Sequence, residues 1–300
     1  MKFAGIIAEY DPLHNGHAWQ LAQAKALGAE RVAVAMSCSL VQRGALPLLP
    51  EAVRTRSALT CGADLVFALP APCACAGAEA FARAGVALLA AAGCDGLVFG
   101  AETPDAALLM EAAELLDSGS YRAALKAQLA GGARSFAAAR QAAAAQLASD
   151  ERVAALLDKP NNNLAVEYCR AIRSLAPRME AYPLPRQGAN HGEALHSAHG
   201  QFASASALRK LWAEGGADAV APYVPEAVFP LYQEAYAAGQ YTDFSAAGRC
   251  ELALLRSACR GKAPFADIRG VSEGLEHRLE AAVRTSTTYD ELLDALKIGR

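Results

Sequence analysis

The sequence predicts an α/β protein with a Rossmann-like parallel sheet of about five strands, helices on both faces of that sheet, and an α-helical C-terminal appendage. Two observations support this prediction. Short apolar runs alternate along the chain with segments whose apolar residues recur at helical spacing. The runs show no polar alternation, and strands that are apolar on both faces indicate a parallel sheet covered on both sides.

Each predicted element rests on such a pattern or on a turn signal beside it. The predicted strands are residues 3–8, 31–36, 64–69, 96–100 and 178–184. The predicted helices are residues 17–27, 78–92, 105–116, 121–129, 135–147, 161–175, a helix starting at 204, and 285–297. We expect a sheet-bearing domain over residues 1–215 with a helical insertion at about 104–157. An α-helical region should follow over residues 216–300.

Composition excludes several classes of protein. Hydrophobic residues make up 53% of the 300 residues, which is too many for a disordered chain. No apolar run reaches the length of a membrane span, and the N-terminus lacks a signal-peptide pattern, so we expect a cytoplasmic protein. The eight cysteines form no CxxC pair, which favours buried thiols over zinc or disulfides. A net charge of −3 means that any contact with nucleic acid needs a local basic patch.

The strongest local signal is EYDPLHNGHAWQL at residues 9–21. A strand ends there, the chain turns through Pro12, and a helix begins near Gly16. The start of a helix has unpaired N–H groups and a partial positive charge, which together form an anion site. His14 and His17 lie three residues apart, so both imidazoles can face one anion. As N–H donors they can stabilise charge that develops between the α- and β-phosphates of a nucleotide.

Two other interpretations of this HxxH pattern stay open. It could bind a metal ion, although no convincing third ligand lies nearby in the sequence, or it could be a surface turn without function. Its place at the carboxyl end of the first strand favours the anion site, because open α/β sheets bind ligands there.

A second signal is FASASALRK at residues 202–210. Ser204 and Ser206 are good caps for the helix that follows, and Arg209 lies within its first turns. Two hydroxyl groups and a guanidinium at a helix start form a second phosphate clamp. Serine caps are common, so the signal is informative only together with the HNGH turn.

Eight sequence blocks carry a resemblance to a known family. They are GIIAEYDPLHNGH (5–17), MSCSLVQRG (36–44), GADLVFALP (62–70), CDGLVFGAE (94–102), KPNNNLAVEY (159–168), LPRQGANHGE (184–193), SASALRK (204–210) and VSEGLE (271–276). The chain resembles the HIGH-type nucleotidyltransferase superfamily and, more closely, the tRNA(Met) cytidine acetate ligase family. These blocks span almost the whole chain in the family's order.

The resemblance implies that residues 1–215 form the nucleotide-binding, HIGH-type domain. It implies an enzyme that forms acetyl-adenylate from ATP and acetate, with Mg²⁺, and then acetylates the wobble cytidine of elongator tRNA(Met). The expected catalytic residues are His14, His17 and Arg209. The residues expected to contact ATP are Ile7, Ala8, Glu9, Tyr10, Asp11, Pro12, Leu13, His14, Asn15, Gly16, His17, Gln20, Gly100, Asn161, Asn162, Arg186, Gln187, Ser204 and Ser206.

Several of these residues also have a plain structural interpretation. Gly100 can admit a flat base to the backbone or simply end a strand. The asparagines can read an adenine edge or cap a helix, and Arg186 can neutralise phosphate or form a surface ion pair. The loop after the second strand carries Gln42 and Arg43, with Arg54 and Arg56 beyond it. These residues can line the pocket, contact RNA or belong to an ordinary solvated basic loop. The sequence alone does not decide between these interpretations.

The chain departs from the family at a few places. Asp11 stands where relatives usually have Asn, Cys38-Ser39 where they have Gly-Asn, and Glu51-Ala52 where they have a Lys-Trp pair, while Asn163 replaces an apolar residue. The sequence ends at LKIGR, where relatives continue through a basic stretch, so we expect a shortened C-terminal region. Two alternative functions therefore stay open: a nucleotidyltransferase that adenylylates a small phosphorylated acceptor, and a nucleotide- or RNA-binding relative without catalysis.

Overall fold

The computed structural model describes residues 1–42, 44–132, 135–185, 195–197, 200–260, 264–268, 271 and 274–297. The chain forms two compact units, Met1–Tyr241 and Thr242–Arg300. The domain boundary that the sequence predicts after residue 215 stays a prediction. Helices beyond that residue contribute to the core of the first unit, because Val220 and Tyr232 are buried there with the sheet.

The strands of the first unit are β1 (Phe3–Ala8), β2 (Arg31–Ser37), β3 (Leu65–Leu69), β4 (Gly96–Ala101), β5 (Glu180–Pro185), β6 (Leu195–Ser197) and β7 (Gly200–Phe202). Its helices are α1 (Asn15–Ala26), α2 (Glu51–Thr60), α3 (Ala71–Ala74), α4 (Ala78–Ala91), α5 (Ala106–Asp117), α6 (Gly119–Ala130), α7 (Phe136–Leu147), α8 (Glu151–Leu156), α9 (Pro160–Leu175), α10 (Ala205–Val220) and α11 (Phe229–Ala237). A 3₁₀ turn follows α10 at Ala221–Tyr223. Among the described helices, none combines the length and apolar character that a membrane span requires.

Within the described residues, β1 to β5 form one parallel sheet in the order β3-β2-β1-β4-β5, which confirms the predicted fold class. Successive side chains of a strand point to opposite faces. Ala33 and Ala35 therefore enter the core that α4, α5 and α9 cover, whereas Val34 and Met36 enter the core that α1, α2, α10 and α11 cover. Helices thus cover both faces of the sheet.

The sheet changes winding direction at β1. The chain proceeds from β1 through β2 to β3 on one side, then returns to place β4 and β5 on the other side. β1 pairs with β2 along its whole length, but its pairing with β4 comprises Ala4↔Gly96 and Gly5↔Leu97, near the amino ends. The carboxyl ends of β1 and β4 therefore flank the topological switch point, where α/β sheets of this kind bind ligands.

The second unit holds α12 (Phe244–Ala258), α13 (Leu275–Thr285) and α14 (Tyr289–Leu296). Its core contains Leu252, Phe265, Val283 and Leu292. A capping box at the start of α14 pairs the Thr288 hydroxyl with the Glu291 N–H, while the Glu291 carboxylate accepts from the Thr288 N–H. This unit is α-helical, as the sequence predicts for the C-terminal region.

The close packing of α4 on β1 requires a glycine at position 85. A Cβ at Gly85 would lie 2.5 Å from Ile7 Cδ1 and 2.8 Å from Ile7 Cγ1. Isoleucine is branched at Cβ and stiff at χ1, so its side chain cannot easily move away. Gly85→Ala should therefore lower the free energy of unfolding by about 1–3 kcal/mol, measured by denaturant unfolding. Gly119→Ala is the matched control, because nothing lies within 4 Å of its Cβ position. Equal stability of the two variants would contradict this packing.

Candidate active site

The loop between β1 and α1 is held from inside the protein. Tyr10 adopts a left-handed backbone conformation, φ 49°, and its ring is fully buried. Leu13 is also fully buried, and its carbonyl oxygen accepts a hydrogen bond of 2.8 Å from the Tyr232 hydroxyl on α11. These buried anchors fix where α1 begins.

His14 and His17 cap the start of α1 reciprocally. His14 is the N-cap residue, and its Nδ1 accepts a hydrogen bond from the Gly16 N–H at 3.1 Å. The His17 Nδ1 reaches back and accepts from the His14 N–H at 3.4 Å. A capping box normally pairs a serine or threonine with a glutamate or glutamine. Here two imidazoles perform both roles, so the helix starts at Asn15, two residues earlier than the sequence predicted.

This arrangement determines which nitrogen of each ring carries the proton. A nitrogen that accepts a hydrogen bond has its lone pair available, so each Nδ1 is unprotonated and each proton lies on Nε2. The rings are stacked, with centroids 3.8 Å apart and an interplanar angle of 21°, and His17 also meets the edge of the Tyr10 ring at 5.0 Å. Stacked neutral rings avoid the repulsion between two like charges. The turn therefore presents two Nε2–H donors beside a helix N-terminus, which together can stabilise a developing oxyanion.

Arg209 connects the second sequence signal to this turn. Its Nη1 donates to the Asp11 carbonyl oxygen at 2.7 Å and to Asp11 Oδ2 at 3.0 Å, although the residues are 198 positions apart. Asp11 is 3% exposed and also accepts from the Leu48 N–H at 2.6 Å. Burial raises the pKa of the Asp11 carboxyl, while the Leu48 N–H, Arg209 and Arg54 favour its charged form. Arg209 is thus placed beside the loop that leads into the HNGH turn.

The serines before Arg209 form the predicted cap of α10. Ser204 Oγ accepts from the Ala207 N–H at 3.2 Å and lies 3.0 Å from Ser206 Oγ. Phe202 packs near Gly16, with its Cδ1 at 3.6 Å from the position of a Cβ there. The start of α10 therefore lies near the start of α1, as expected if the HNGH turn and the serine-rich helix start bind one nucleotide.

Other residues of the turn that were expected to contact ATP have structural contacts. The Gln20 amide donates to the Val98 carbonyl of β4 at 3.1 Å, and the Asn15 amide donates to the Pro222 carbonyl at 3.3 Å. The Glu9 carboxylate accepts from the Gln42 N–H at 2.6 Å. Of the apolar members Ile7, Ala8, Pro12 and Leu13, all but the half-buried Ile7 are buried. These contacts position the turn, and the assignment of each residue to ATP stays a prediction.

The end of β4 is joined to the start of α9 by Glu102. Its Oε1 accepts from the Asn161 side-chain amide at 2.6 Å, and its Oε2 accepts from the Asn162 N–H at 2.7 Å. A carboxylate at this position satisfies the unpaired N–H groups at a helix start. Asn162 is 1% exposed, and its amide is paired on both atoms with Thr103 at 2.9 and 3.1 Å. Gly100 is exposed at the carboxyl end of β4, beside this network.

Of the two asparagines, Asn161 is half-buried and Asn162 is buried. The contacts of Asn162 favour the structural interpretation, in which it shapes the loop after β4. Arg186 and Gln187, which were also expected to contact ATP, lie outside the described residues.

Sequence reasoning missed Glu102 and misjudged Arg54. The signal for Glu102 was its place directly after an apolar strand, ahead of a PNNN helix start that lacks its own capping side chain. Arg54 neither lines a pocket nor reaches the surface, because it is fully buried and donates to main-chain carbonyls. Arg56 is exposed, and its Nη1 lies 3.6 Å from Glu234 Oε2. Arg43 lies outside the described residues. For Arg54, the expectation of a pocket-lining, RNA-contacting or solvated side chain was therefore wrong.

The chain is similar to proteins of a known family over its whole length. The profile of the family described as HIGH Nucleotidyl Transferase matches residues 1–300. The chain is 36% identical over 301 residues to the tRNA(Met) cytidine acetate ligase of Syntrophotalea carbinolica, covering 99% of this chain and 70% of that protein. It is 33% identical over 308 residues to the enzyme of the same name from Caldanaerobacter subterraneus subsp. tengcongensis, covering 100% and 74%.

Two solved structures have the same fold. The apo crystal structure of Thermotoga maritima TmcAL superposes with a TM-score of 0.91 at 30% identity, covering 100% of this chain and 72% of that one. The structure of the same protein bound with alpha-thio ATP gives a TM-score of 0.89 at 29% identity, covering 100% and 71%. The fold and the HNGH turn thus define a nucleotidyl transferase of the HIGH type, and the chain belongs to that family. Within it, the chain belongs to the tRNA(Met) cytidine acetate ligases.

The close approach of Gly16 to the His14 ring yields a test of the capping geometry. A Cβ at Gly16 would lie 3.0 Å from His14 Cε1 and 3.1 Å from its Nδ1, so Gly16→Ala should displace the ring. We expect ATP affinity, measured by calorimetry, to fall by up to about tenfold, because a displaced ring loses its hydrogen bond to the nucleotide and such a bond contributes about 1 kcal/mol. Stability should change by less than about 1 kcal/mol, because alanine favours the helix and offsets the lost cap. Unchanged affinity, with Gly119→Ala as the control, would refute the role of the His14 ring.

Proposed function

We propose that the chain is an ATP-dependent ligase that makes acetyl-adenylate from ATP and acetate and then acetylates the wobble cytidine of elongator tRNA(Met). The observation that carries this proposal is the His14–His17 capping box at the switch point of the sheet. In this proposal, the two imidazoles and the N-terminus of α1 bind the triphosphate. Family membership supplies the substrates of the proposal, since the relatives are named for tRNA(Met) and cytidine acetate ligation.

The geometry suits the first half-reaction. An acetate oxygen attacks the α-phosphorus in line, the bond from that phosphorus to the oxygen bridging to the β-phosphate breaks, and pyrophosphate leaves. Negative charge grows on the leaving oxygens. His14, His17 and the N-terminus of α1 can stabilise that charge, and Arg209 lies beside the same loop. The protein positions the reactants and stabilises the developing charge. The acetyl-adenylate then retains the free energy that drives the second half-reaction.

In the second half-reaction, the exocyclic amine of the cytidine attacks the carbonyl carbon of the mixed anhydride and AMP leaves. Exposed Gly100 and half-buried Asn161, at the end of β4 and the start of α9, are the residues that we propose contact the adenosine. With a net charge of −3, the chain must hold tRNA through a local basic surface, because phosphate contacts dominate affinity for RNA. An enzyme with these substrates acts in the cytoplasm.

Two carboxylates near the turn already have partners within the protein. Glu9 and Asp11 are already engaged by Gln42, Leu48 and Arg209. In the part of the chain that the structure describes, no group of three or more His, Cys, Asp or Glu side chains could hold a metal ion. A Mg²⁺ ion that accompanies ATP would therefore bind mainly through the phosphates.

The proposal is tested most simply by following each half-reaction in one experiment. The protein is incubated with ATP, labelled acetate and bulk tRNA, and acetyl-adenylate, pyrophosphate and acetylated cytidine are measured separately. We expect pyrophosphate release to depend on acetate and labelled cytidine to appear only with tRNA. Release that depends instead on a phosphorylated acceptor would support an adenylyltransferase. ATP binding without turnover would support a non-catalytic relative.

Substitutions of His17 distinguish its proposed role as a hydrogen-bond donor to phosphate from its role in capping α1. His17→Ala removes both functions and should reduce the rate of ATP–pyrophosphate exchange by about 10²–10³-fold. His17→Gln keeps a side chain that suits the third helical position of a capping box, so it should retain stability and still lose rate. His277→Ala is the control, because that histidine is exposed and lies in the other unit. Full exchange activity in His17→Gln would show that the imidazole serves only as a cap.

A further inference from the structure

Arg54 is the largest fully buried side chain of the described residues, and it donates only to main-chain oxygens in the hydrogen bonds that the structure records. Its Nε donates to the Leu49 carbonyl at 3.0 Å, and its Nη1 donates to the Glu9 carbonyl at 2.8 Å and the Ser37 carbonyl at 2.6 Å. Its Nη2 donates to the Cys38 carbonyl. One guanidinium therefore bonds to three separate stretches of backbone.

These stretches meet at the carboxyl edge of the sheet. Glu9 directly follows β1 and opens the loop that leads to His14. Ser37 ends β2, and Leu49 lies just before α2. A planar fork of five N–H groups in fixed directions can join such carbonyls, whereas a lysine ammonium offers three donors from a single point. Arg54 thus fixes the end of β1 relative to the end of β2.

The same guanidinium places a positive charge behind the phosphate-binding loop. Burial lowers the pKa of Arg54, while Asp11, Glu51 and Glu9 are among the groups that favour its charged form. Two of these carboxylates, Glu9 and Asp11, belong to the loop itself, and their charges would repel a triphosphate. The positive charge of Arg54 offsets that repulsion at short range in a poorly screened interior.

Stability alone does not account for such a residue. Well-packed apolar side chains often replace buried charges with no loss of stability, and sometimes with a gain. We propose that Arg54 is a positioning residue of the nucleotide site. It sets the loop at residues 9–13 and supplies a permanent positive charge behind the triphosphate. This assignment rests on the proposed ATP-dependent function.

The experiment compares Arg54→Lys, Arg54→Met and wild type in the 300-residue chain. Circular dichroism and thermal unfolding define conditions under which each variant is folded, and calorimetry then gives the Kd for ATP. Arg54→Lys keeps the positive charge but loses the planar set of N–H donors, so we expect a Kd for ATP about tenfold higher than that of wild type. Arg54→Met loses both, and we expect an increase on the order of 10²-fold. The KM for ATP should rise in parallel while the KM for acetate stays unchanged, a split that general destabilisation would not produce.

Arg140→Lys is the matched control. Arg140 is also largely buried and bonds to Glu167 at 2.6 Å, between helices α7 and α9 and away from the loop. It should lose stability and keep the wild-type Kd for ATP. Folded Arg54→Lys and Arg54→Met with Kd values within about twofold of wild type would overturn the assignment. If Arg54→Met does not fold, Arg54→Lys alone decides. Wild type that binds no ATP would instead overturn the proposed function.

Discussion

The reciprocal hydrogen bonding of His14 and His17 is the constraint on which the active site depends. Because each Nδ1 accepts a main-chain N–H, neither ring can turn without leaving a helix N–H unpaired. The same bonds hold both rings in the Nε2–H form. If the rings act as we propose, a local requirement of helix formation sets the donors of the site before any ligand arrives, which is the condition under which such donors stabilise a transition state most effectively.

The topology of the sheet determines where the HNGH turn lies. β1 is the strand at which the winding direction reverses, so the turn lies at the topological switch point of the sheet, beside β4. Long-range contacts then hold the surrounding elements together. Arg209 ties α10 to the loop at Asp11, Glu102 ties β4 to α9, and Gln20 ties α1 to β4. Each contact joins an element that carries a sequence motif to its neighbour, so motifs far apart in the chain are brought together at this edge of the sheet.

Much of this fold can be predicted from local patterns, because buried parallel strands are short and continuously apolar. β1 was predicted residue for residue, and the other strands of the sheet within two residues at either end. Helix α2 was not predicted, because two of its buried residues are Arg54 and Ser57, which break the apolar period. In the site, the HNGH turn was recognised, but a spacing of three residues fits capping and anion binding equally. The pairing of Arg209 with Asp11 depends on tertiary structure, so no local sequence pattern predicts it.

The most direct test of this account is ¹⁵N NMR of the histidine side chains, with and without an ATP analogue. The capping box predicts that His14 and His17 both carry their proton on Nε2 in the free protein. It also predicts that the Nε2 resonances, rather than those of Nδ1, shift most when the nucleotide binds. Protons on Nδ1, or Nε2 resonances that do not respond to bound nucleotide, would contradict it.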